Sequence, residues 1–184
     1  MSTIYAALMQ LTRIFRKFPD AIAWNEARKW VHAVDNWGHS DALSGIYAGI
    51  RERNPSQVEA DYRLWNENTN PWLRRQSLVG LYYYARLRKK IPSTKIALSL
   101  IKARLKDPHF YVQKAVGWTL REVDRVARKE QRLFVEENLG SISSTAWFAT
   151  SELYSATLKT RLVEERKILR NNQKTLIERK RKIL

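Results

Sequence analysis

Residues 70–80 read NPWLRRQSLVG, and residues 107–117 read DPHFYVQKAVG. Aligned at an offset of 37 residues, the two stretches share Pro, Gln, Val and Gly at matching positions. Each begins with Asn or Asp before Pro, the usual combination of an N-cap with proline at the first helical position. The chain therefore contains an internal repeat in which each unit opens a helix at the same place.

The repeat predicts a helical solenoid. A period of 37 residues leaves room for two helices, and such pairs bury their apolar sides against the next pair. The same offset reaches Ser144, where a third and weaker copy keeps only a cap-like start and a helical pattern. Because no stretch alternates as a half-buried strand does, we predict an all-α fold, a curved array of antiparallel helix pairs.

Breaks at proline, Asn-Pro and glycine set the predicted helix bounds. We expect helices near residues 3–17, 20–33, 41–53, 57–67, 71–89, 93–105, 108–126, 128–138, 144–158 and 160–182. Residues 1–158 would form one repeat domain, and residues 159–184 a basic helical tail. Trp24, Trp30 and Trp65 stand at helical spacing and are expected in the core.

Residues 1–18 contain three basic residues and no acidic residue. This composition is compatible with an amphipathic transit sequence or with an ordinary helix. We favour the helix because apolar residues form a regular stripe at Ile4, Leu8, Leu11, Phe15 and Phe18.

Several classes of protein are excluded by composition. The chain has no cysteine, so it has neither a disulfide nor a thiolate metal site, and His32, His39 and His109 lack a metal-ligand spacing. It has no glycine-rich phosphate loop, and no apolar run of about 18 residues that could span a membrane. We expect a cytoplasmic monomer that uses no metal and no cofactor.

The formal net charge is +16, which points to a polyanionic partner. Residues 159–184 contain ten Lys or Arg and three Glu, a net charge of +7, which leaves +9 for residues 1–158. The predicted repeat domain is therefore basic in itself. A charge excess of this kind can also complement an acidic protein. A repeat scaffold that binds an acidic protein is therefore an alternative function.

Three strings carry a family resemblance: DNWGHSD at 35–41, NPWLRRQS at 70–77 and FYVQKAVGWTLRE at 110–122. Together and in this order they resemble the DNA alkylation repair glycosylases of the HEAT-like repeat family. The resemblance implies a HEAT-like solenoid that removes cationic N3- and N7-alkylated purines from duplex DNA without a deep base-flipping pocket. In the family a Trp and an Asp four residues apart and the second Arg of the second string are catalytic.

Those positions fall on Trp37, Asp41 and Arg75, and a further family tryptophan near the lesion falls on Trp118. Three basic residues of the second and third strings, Arg74, Lys114 and Arg121, are also expected to contact the DNA.

The chemistry of the reaction suits these residue types. Loss of an alkylated purine leaves positive charge on the deoxyribose, and the cationic base departs without a general acid. A fixed carboxylate, Asp41, would stabilise this transition state by a few kcal/mol, on the order of other preorganised electrostatic contacts. The indoles of Trp37 and Trp118 would pack on the sugar, at roughly 0.5 to 2 kcal/mol each. Arg75 would hold a backbone phosphate.

Other interpretations of the same residues stay open. Asp41 at a predicted helix start is most often a cap, and a tryptophan at helical spacing is most often core. Arg75 could form an inter-helix ion pair, although its repeat counterpart is Val112. Only 36 residues precede Trp37, where family members carry several helices, so we expect a reduced groove wall. A non-catalytic module that binds DNA or branched nucleic acid is therefore the alternative function.

Overall fold

The computed structural model describes residues 10, 13, 14 and 17–181, and for residues 173, 174 and 176–181 it describes the backbone alone. Most of the expected N-terminal stripe, namely Ile4, Leu8, Leu11 and Phe15, lies outside the described residues. Phe18, the last residue of that stripe, is exposed.

The described residues form helices and turns without a strand, which confirms the all-α prediction. Nine α-helices are present in this part of the chain: α1 Asp20–Ala27, α2 Trp37–Arg53, α3 Pro55–Asn66, α4 Pro71–Tyr82, α5 Thr94–Arg104, α6 Phe110–Val126, α7 Arg128–Glu137, α8 Ser144–Thr150 and α9 Ala156–Arg181. Short 3₁₀ turns cover Arg28–Ala33 and Ala85–Leu87.

The helices stack in two layers, as a solenoid requires. In the first layer α2 packs on α4, α4 on α6 and α6 on α8. In the second layer α3 contacts α5, and α5 contacts α7. The weak third copy proposed at Ser144 is thus a full member of the first layer. So is α2, which the sequence repeat did not indicate.

Several predicted helix bounds were wrong for identifiable reasons. Helix α2 begins at Trp37 because the Asn36 side chain accepts the His39 backbone N–H at 3.0 Å, so Asp41 lies in the second turn and does not cap the helix. Helix α4 ends at Tyr82, well before residue 89, because Tyr84 adopts a left-handed conformation with φ 47°. Helix α8 ends at Thr150, and α9 begins at Ala156.

The core around α1, α2 and α3 is an aromatic cluster. Trp24, Tyr47, Tyr62 and Trp65 have ring centroids 5.1 to 6.2 Å apart, and the Trp24 indole N–H donates to Asp61 at 2.6 Å. Edge-to-face and tilted contacts of this kind add to the apolar burial. The expected core positions of Trp24 and Trp65 are confirmed, and Trp30 packs half-buried against the same core.

The two repeat glycines permit different close approaches. A Cβ at Gly117 on α6 would lie 2.2 Å from the backbone oxygen of Ala146 on α8, so the absence of a side chain lets these helices touch. A Cβ at Gly80 on α4 would meet the hydroxyl of Tyr62 from α3 at 2.5 Å. Matching residues in the repeat therefore serve different contacts.

The start of α9 is docked on the solenoid. Leu162 is fully buried, and Arg166 and Arg170 both donate to the Ile142 carbonyl, at 2.6 and 2.7 Å. Burial lowers the pKa of Arg166 to about 10, and the nearby charge of Arg170 contributes to that decrease. The domain boundary expected between residues 158 and 159 falls inside this docked helix.

Candidate active site

An ion pair joins two neighbouring helices of the first layer. Nη2 of Arg75 on α4 donates to Oδ1 of Asp41 on α2 at 2.6 Å. Nη1 of Arg75 donates to the backbone carbonyl of Tyr111 on α6 at 3.1 Å. Only 7% of the Arg75 side chain is exposed, whereas 35% of the Asp41 side chain is. The carboxylate is therefore in contact with solvent, and the guanidinium binds it from the buried side.

A cleft of about 340 Å³ runs across the first layer beside this pair. Its walls come from all four helices of the layer, with Glu152 following shortly after α8. The lining residues are Trp37, Arg75, Tyr111, Lys114, Trp118, Arg121, Phe148, Ala149 and Glu152. Five of the seven residues expected at the site from sequence therefore line one cleft. Asp41 adjoins it through Arg75 and is not a lining residue itself.

The two tryptophans of the cleft differ in how firmly they are held. Trp37, the first residue of α2, is 57% exposed. Trp118 is half-buried and is held by the stacked ring of Tyr83 at 5.9 Å and the edge of Tyr84 at 6.2 Å. The guanidinium of Arg121 lies 5.8 Å from the Trp118 ring. Trp118 is thus a fixed wall, and Trp37 is open to a ligand.

The cations of the cleft carry different constraints. Nη1 of Arg121 donates to the carboxylate of Glu152 at 2.7 Å, and its Nε lies 3.5 Å from Glu122. Lys114 is exposed, with its ammonium 5.6 Å from the ring of Phe110. Lys114 can therefore bind a phosphate without breaking an ion pair. Arg121 can bind a phosphate only after its ion pair with Glu152 has broken.

Arg74 is engaged in a structural network. Its Nε and Nη2 donate to the two carboxylate oxygens of Asp107, at 2.6 and 3.1 Å, and its Nη1 donates to the carbonyls of Asn68 and Thr69. Burial of Asp107 opposes its charged form, but the hydrogen bonds from Arg74 and the His109 N–H outweigh this and lower the pKa of Asp107. All three guanidinium nitrogens of Arg74 donate to groups of the protein, so in this structure none of them is free to bind a DNA phosphate.

Four of the lining residues were not expected from the sequence: Tyr111, Phe148, Ala149 and Glu152. Phe148 is 77% exposed, which is unusual for a phenylalanine, and Glu152 follows it by four positions, just after the end of α8. The offset of 37 residues aligns Phe148 with Tyr111, but Tyr111 had no expected role, so the third copy pointed to neither Phe148 nor Glu152. The available signal was an aromatic residue and a carboxylate four positions apart in the helix predicted at 144–158.

Two classes of site or segment are absent from the described residues. No three His, Asp or Glu side chains in this part of the chain lie together as metal ligands do. None of the described helices is both long and apolar enough to cross a membrane.

The model of the DNA alkylation repair enzyme family matches residues 2–153 of this sequence. The chain belongs to the DNA alkylation repair enzymes. The match covers every helix of the first layer and all of the cleft's lining residues. Family membership gives the chain a role in DNA repair, with DNA as its substrate.

A solved structure supports the fold assignment. It is described as a predicted DNA alkylation repair enzyme from Enterococcus faecalis, and it aligns with a TM-score of 0.57 at 16% sequence identity. The alignment covers 82% of this chain and 77% of that one. At this identity, the likeness shows that this DNA alkylation repair enzyme shares the solenoid architecture. No curated protein sequence matches the chain.

Proposed function

We propose that the chain is a DNA glycosylase that releases cationic N3- and N7-alkylated purines from duplex DNA. The observation that carries the proposal is the Asp41 carboxylate, fixed by Arg75 at 2.6 Å beside a cleft lined by Trp37 and Trp118. Asp41, Trp37 and Arg75 are the proposed catalytic residues, and Trp118 supports them. The reaction leaves an abasic site and uses no cofactor.

Asp41 would act on the charge that develops on the deoxyribose. Oδ1 is occupied by Arg75, and Oδ2 has no hydrogen-bond partner among the described residues. As the glycosidic bond lengthens, its electron pair leaves with the purine, and the purine cation becomes neutral. The sugar acquires the positive charge, which a prepositioned carboxylate stabilises better than mobile water does. The same oxygen can orient the water that attacks the anomeric carbon.

The tryptophans would hold the lesion nucleotide. Indole faces attract cationic groups and pack on sugars, and both residues line one cleft. The rigid ring of Trp118 would set the position of the nucleotide, and the exposed ring of Trp37 would close on it. A nucleotide held against these two rings would not need to place its base in a deep pocket.

Lys114 and Arg121 would anchor the DNA backbone on the α6 side of the cleft. Lysine binds phosphate as a point charge, and arginine binds it with two parallel hydrogen bonds. Such contacts fix the register of the duplex without reading its sequence. This is the arrangement expected of an enzyme that must find a lesion in any sequence.

One observation favours the alternative, a DNA-binding module without catalysis. Asp41 is bonded to Arg75 and does not line the cleft in the free protein. If DNA binding left that pair unchanged, the carboxylate would remain a structural partner of Arg75. The chain would then recognise DNA by charge and shape alone.

Base release separates the two functions. Duplex DNA methylated in vitro is incubated with the protein in EDTA, and free 3-methyladenine and 7-methylguanine are measured by chromatography. The glycosylase predicts released base together with an equal number of alkali-labile abasic sites. Salt-sensitive DNA binding without release would favour the binding module. The Trp37→Ala variant, which removes an exposed ring, should keep the fold and lose most of the release.

A further inference from the structure

A second groove lies on the other side of Arg121 from the cleft. It has a volume of about 150 Å³ and forms where the 3₁₀ turn after α4 faces the C-terminal part of α6. Its lining residues are Tyr84, Arg86, Leu87, Arg121, Glu122 and Arg125. Arg121 lines both the cleft and this groove, so a strand that leaves the cleft past Arg121 enters the groove.

The groove carries three guanidinium groups and one carboxylate. Glu122 is almost fully buried and lies 3.2 Å from Nε of Arg125 and 3.5 Å from Nε of Arg121. It therefore holds both arginines at Nε; Nη1 of Arg121 is taken by Glu152, and the other outer nitrogens of the two guanidinium groups have no partner among the described residues. Arg86 is exposed and has no hydrogen-bond or ion-pair partner among the side chains that the structure describes. An uncompensated cation next to two braced ones is suited to an anion.

The turn that presents Arg86 is held in place. Lys89 donates its backbone N–H to Glu52 at 3.0 Å, and Arg51 donates to the Lys90 carbonyl at 2.8 Å. Both partners come from the last turn of α2. Tyr84, the residue in the left-handed conformation, starts the turn, and its ring abuts Trp118. Non-glycine residues keep that backbone conformation only when surrounding structure enforces it, and this occurs often at binding sites.

The surface of the turn resembles a nucleic-acid contact more than a protein contact. Leu87 is 73% exposed and Tyr84 is 50% exposed, and the only charged residues between positions 84 and 90 are four Lys or Arg. Two exposed apolar side chains flanked by cations can contact the sugars and phosphates at the edge of a DNA groove. These two residues are too few to cover a protein partner of ordinary size.

We infer that this groove binds a phosphodiester of the DNA strand beyond the lesion, with Arg86, Arg121 and Arg125 as donors. The inference rests on the proposed function and extends it, because it adds an anchor outside the reacting centre. Two anchored phosphates on either side of Arg121 would fix the direction of the strand across the cleft. Arg86 is the specific contact that no feature of the fold otherwise requires.

Salt-dependent binding of an unmodified, fluorescently labelled duplex tests the inference. Removal of one phosphate contact should lower the steepness of log K against log salt concentration by about 0.9. We expect this change in Arg86→Gln and, separately, in Arg125→Gln. Lys102→Gln is the matched control, because Lys102 is exposed on α5 in the second layer and its substitution changes the net charge equally. The control should keep the wild-type slope.

Further readouts separate the possible failures. Arg86→Gln should keep the wild-type melting temperature, because Arg86 is exposed and has no ion-pair partner among the described side chains. If both arginine variants keep the wild-type salt slope and the wild-type protein releases base, the groove does not bind a phosphodiester. The proposed function would then stand without this inference. Millimolar inorganic phosphate could instead raise the melting temperature of the wild type but not of Arg86→Gln, while the salt slopes of DNA binding stay unchanged. That result would show that the groove binds a free anion and would overturn the inference that it binds a phosphodiester of DNA. Absence of salt-dependent DNA binding by the wild type would overturn both the inference and the proposed function.

Discussion

Oδ1 of Asp41 accepts a 2.6 Å hydrogen bond from Nη2 of Arg75, 34 positions further along the chain. The two residues lie on α2 and α4, so their contact exists only when consecutive repeats are stacked. Arg75 also reaches the Tyr111 carbonyl on α6. One buried guanidinium therefore aligns three helices and fixes the carboxylate on which the proposed chemistry depends.

Arg75→Ala should weaken both DNA binding and base release. The substitution frees Asp41 and deletes a charge beside the cleft, and we expect kcat/KM to fall at least about tenfold, the effect of one charge-assisted hydrogen bond. Arg75→Lys is the matched control, because it keeps the charge but cannot bond Asp41 and Tyr111 in the same fork geometry. It should bind DNA nearly normally and release base slowly. A variant that only melts earlier, with unchanged binding and release, would make Arg75 purely structural.

Glu152→Gln should tighten DNA binding. In the free protein Glu152 occupies Nη1 of Arg121, so a phosphate must displace it. Removing this competing carboxylate should lower the Kd by roughly two- to fivefold at low salt, the range of a partly exposed ion pair. The control is Glu137→Gln in the last turn of α7, which is exposed and changes the net charge equally. Equal tightening in both variants would show an effect of net charge alone.

Gly117→Ala should destabilise the protein strongly. Its Cβ would lie 2.2 Å from a backbone oxygen of α8, and a backbone cannot move as a side chain tip does. We expect the free energy of unfolding to fall by about 3 kcal/mol or more, because separating α6 from α8 adds to the cost of overpacking. Gly49→Ala is the matched control. No atom lies within 4 Å of its Cβ, so this helix-interior change should stabilise by about 0.5 to 1 kcal/mol. Urea denaturation measures both.

Asp107 should make folding sensitive to acid. Burial raises its pKa, but hydrogen bonds from Arg74 and the His109 N–H, with the charge of Arg104, lower it below the usual value of 3.8. A carboxyl whose folded pKa is lowered contributes stability above its unfolded pKa and loses it as the pH falls through the folded pKa. Asp107→Asn should therefore cost about 1 to 3 kcal/mol at neutral pH.

The deficit of Asp107→Asn relative to the wild type should stay constant from about pH 8 to pH 5 and shrink below about pH 4, where the carboxyl of the unfolded wild-type chain begins to protonate. Glu67→Gln, which removes an exposed carboxylate without an ion pair in the described part of the chain, should follow the wild-type curve. A deficit that persists undiminished at low pH would show that the charge of Asp107 is not what stabilises the turn.

The architecture was largely predictable from the sequence because its signals are local. The Asn70 cap, the proline after it and the apolar spacing identified the first-layer helices and the solenoid. The first repeat escaped detection because it has neither the proline nor the glycine that the units at 70–80 and 107–117 share. Helix α2 was expected to start at residue 41, but a cap at Asn36 places Asp41 within the helix.

The candidate site was predictable in part. The family strings singled out Trp37, Arg75 and Trp118, and these three residues line one cleft. The structure was needed only for the distances and exposures at that cleft. The partner of each cation could not be read from the sequence, because Arg74 with Asp107 and Arg121 with Glu152 are pairs between distant segments. The basic turn after α4 was also hidden, since a left-handed Tyr84 ends a helix that propensity alone would continue.

The most direct test of the proposed chemistry is single-turnover release of 7-methylguanine by Asp41→Asn with protein in excess over DNA. Asp35→Asn is the control, because it makes the same charge change at an exposed position just before α2. If Asp41 stabilises the transition state, Asp41→Asn binds DNA with nearly wild-type affinity and releases base at least about a hundredfold more slowly, as loss of a preorganised electrostatic group does, while Asp35→Asn is normal. Release by Asp41→Asn at the wild-type rate would show that the Asp41 carboxylate takes no part in the reaction.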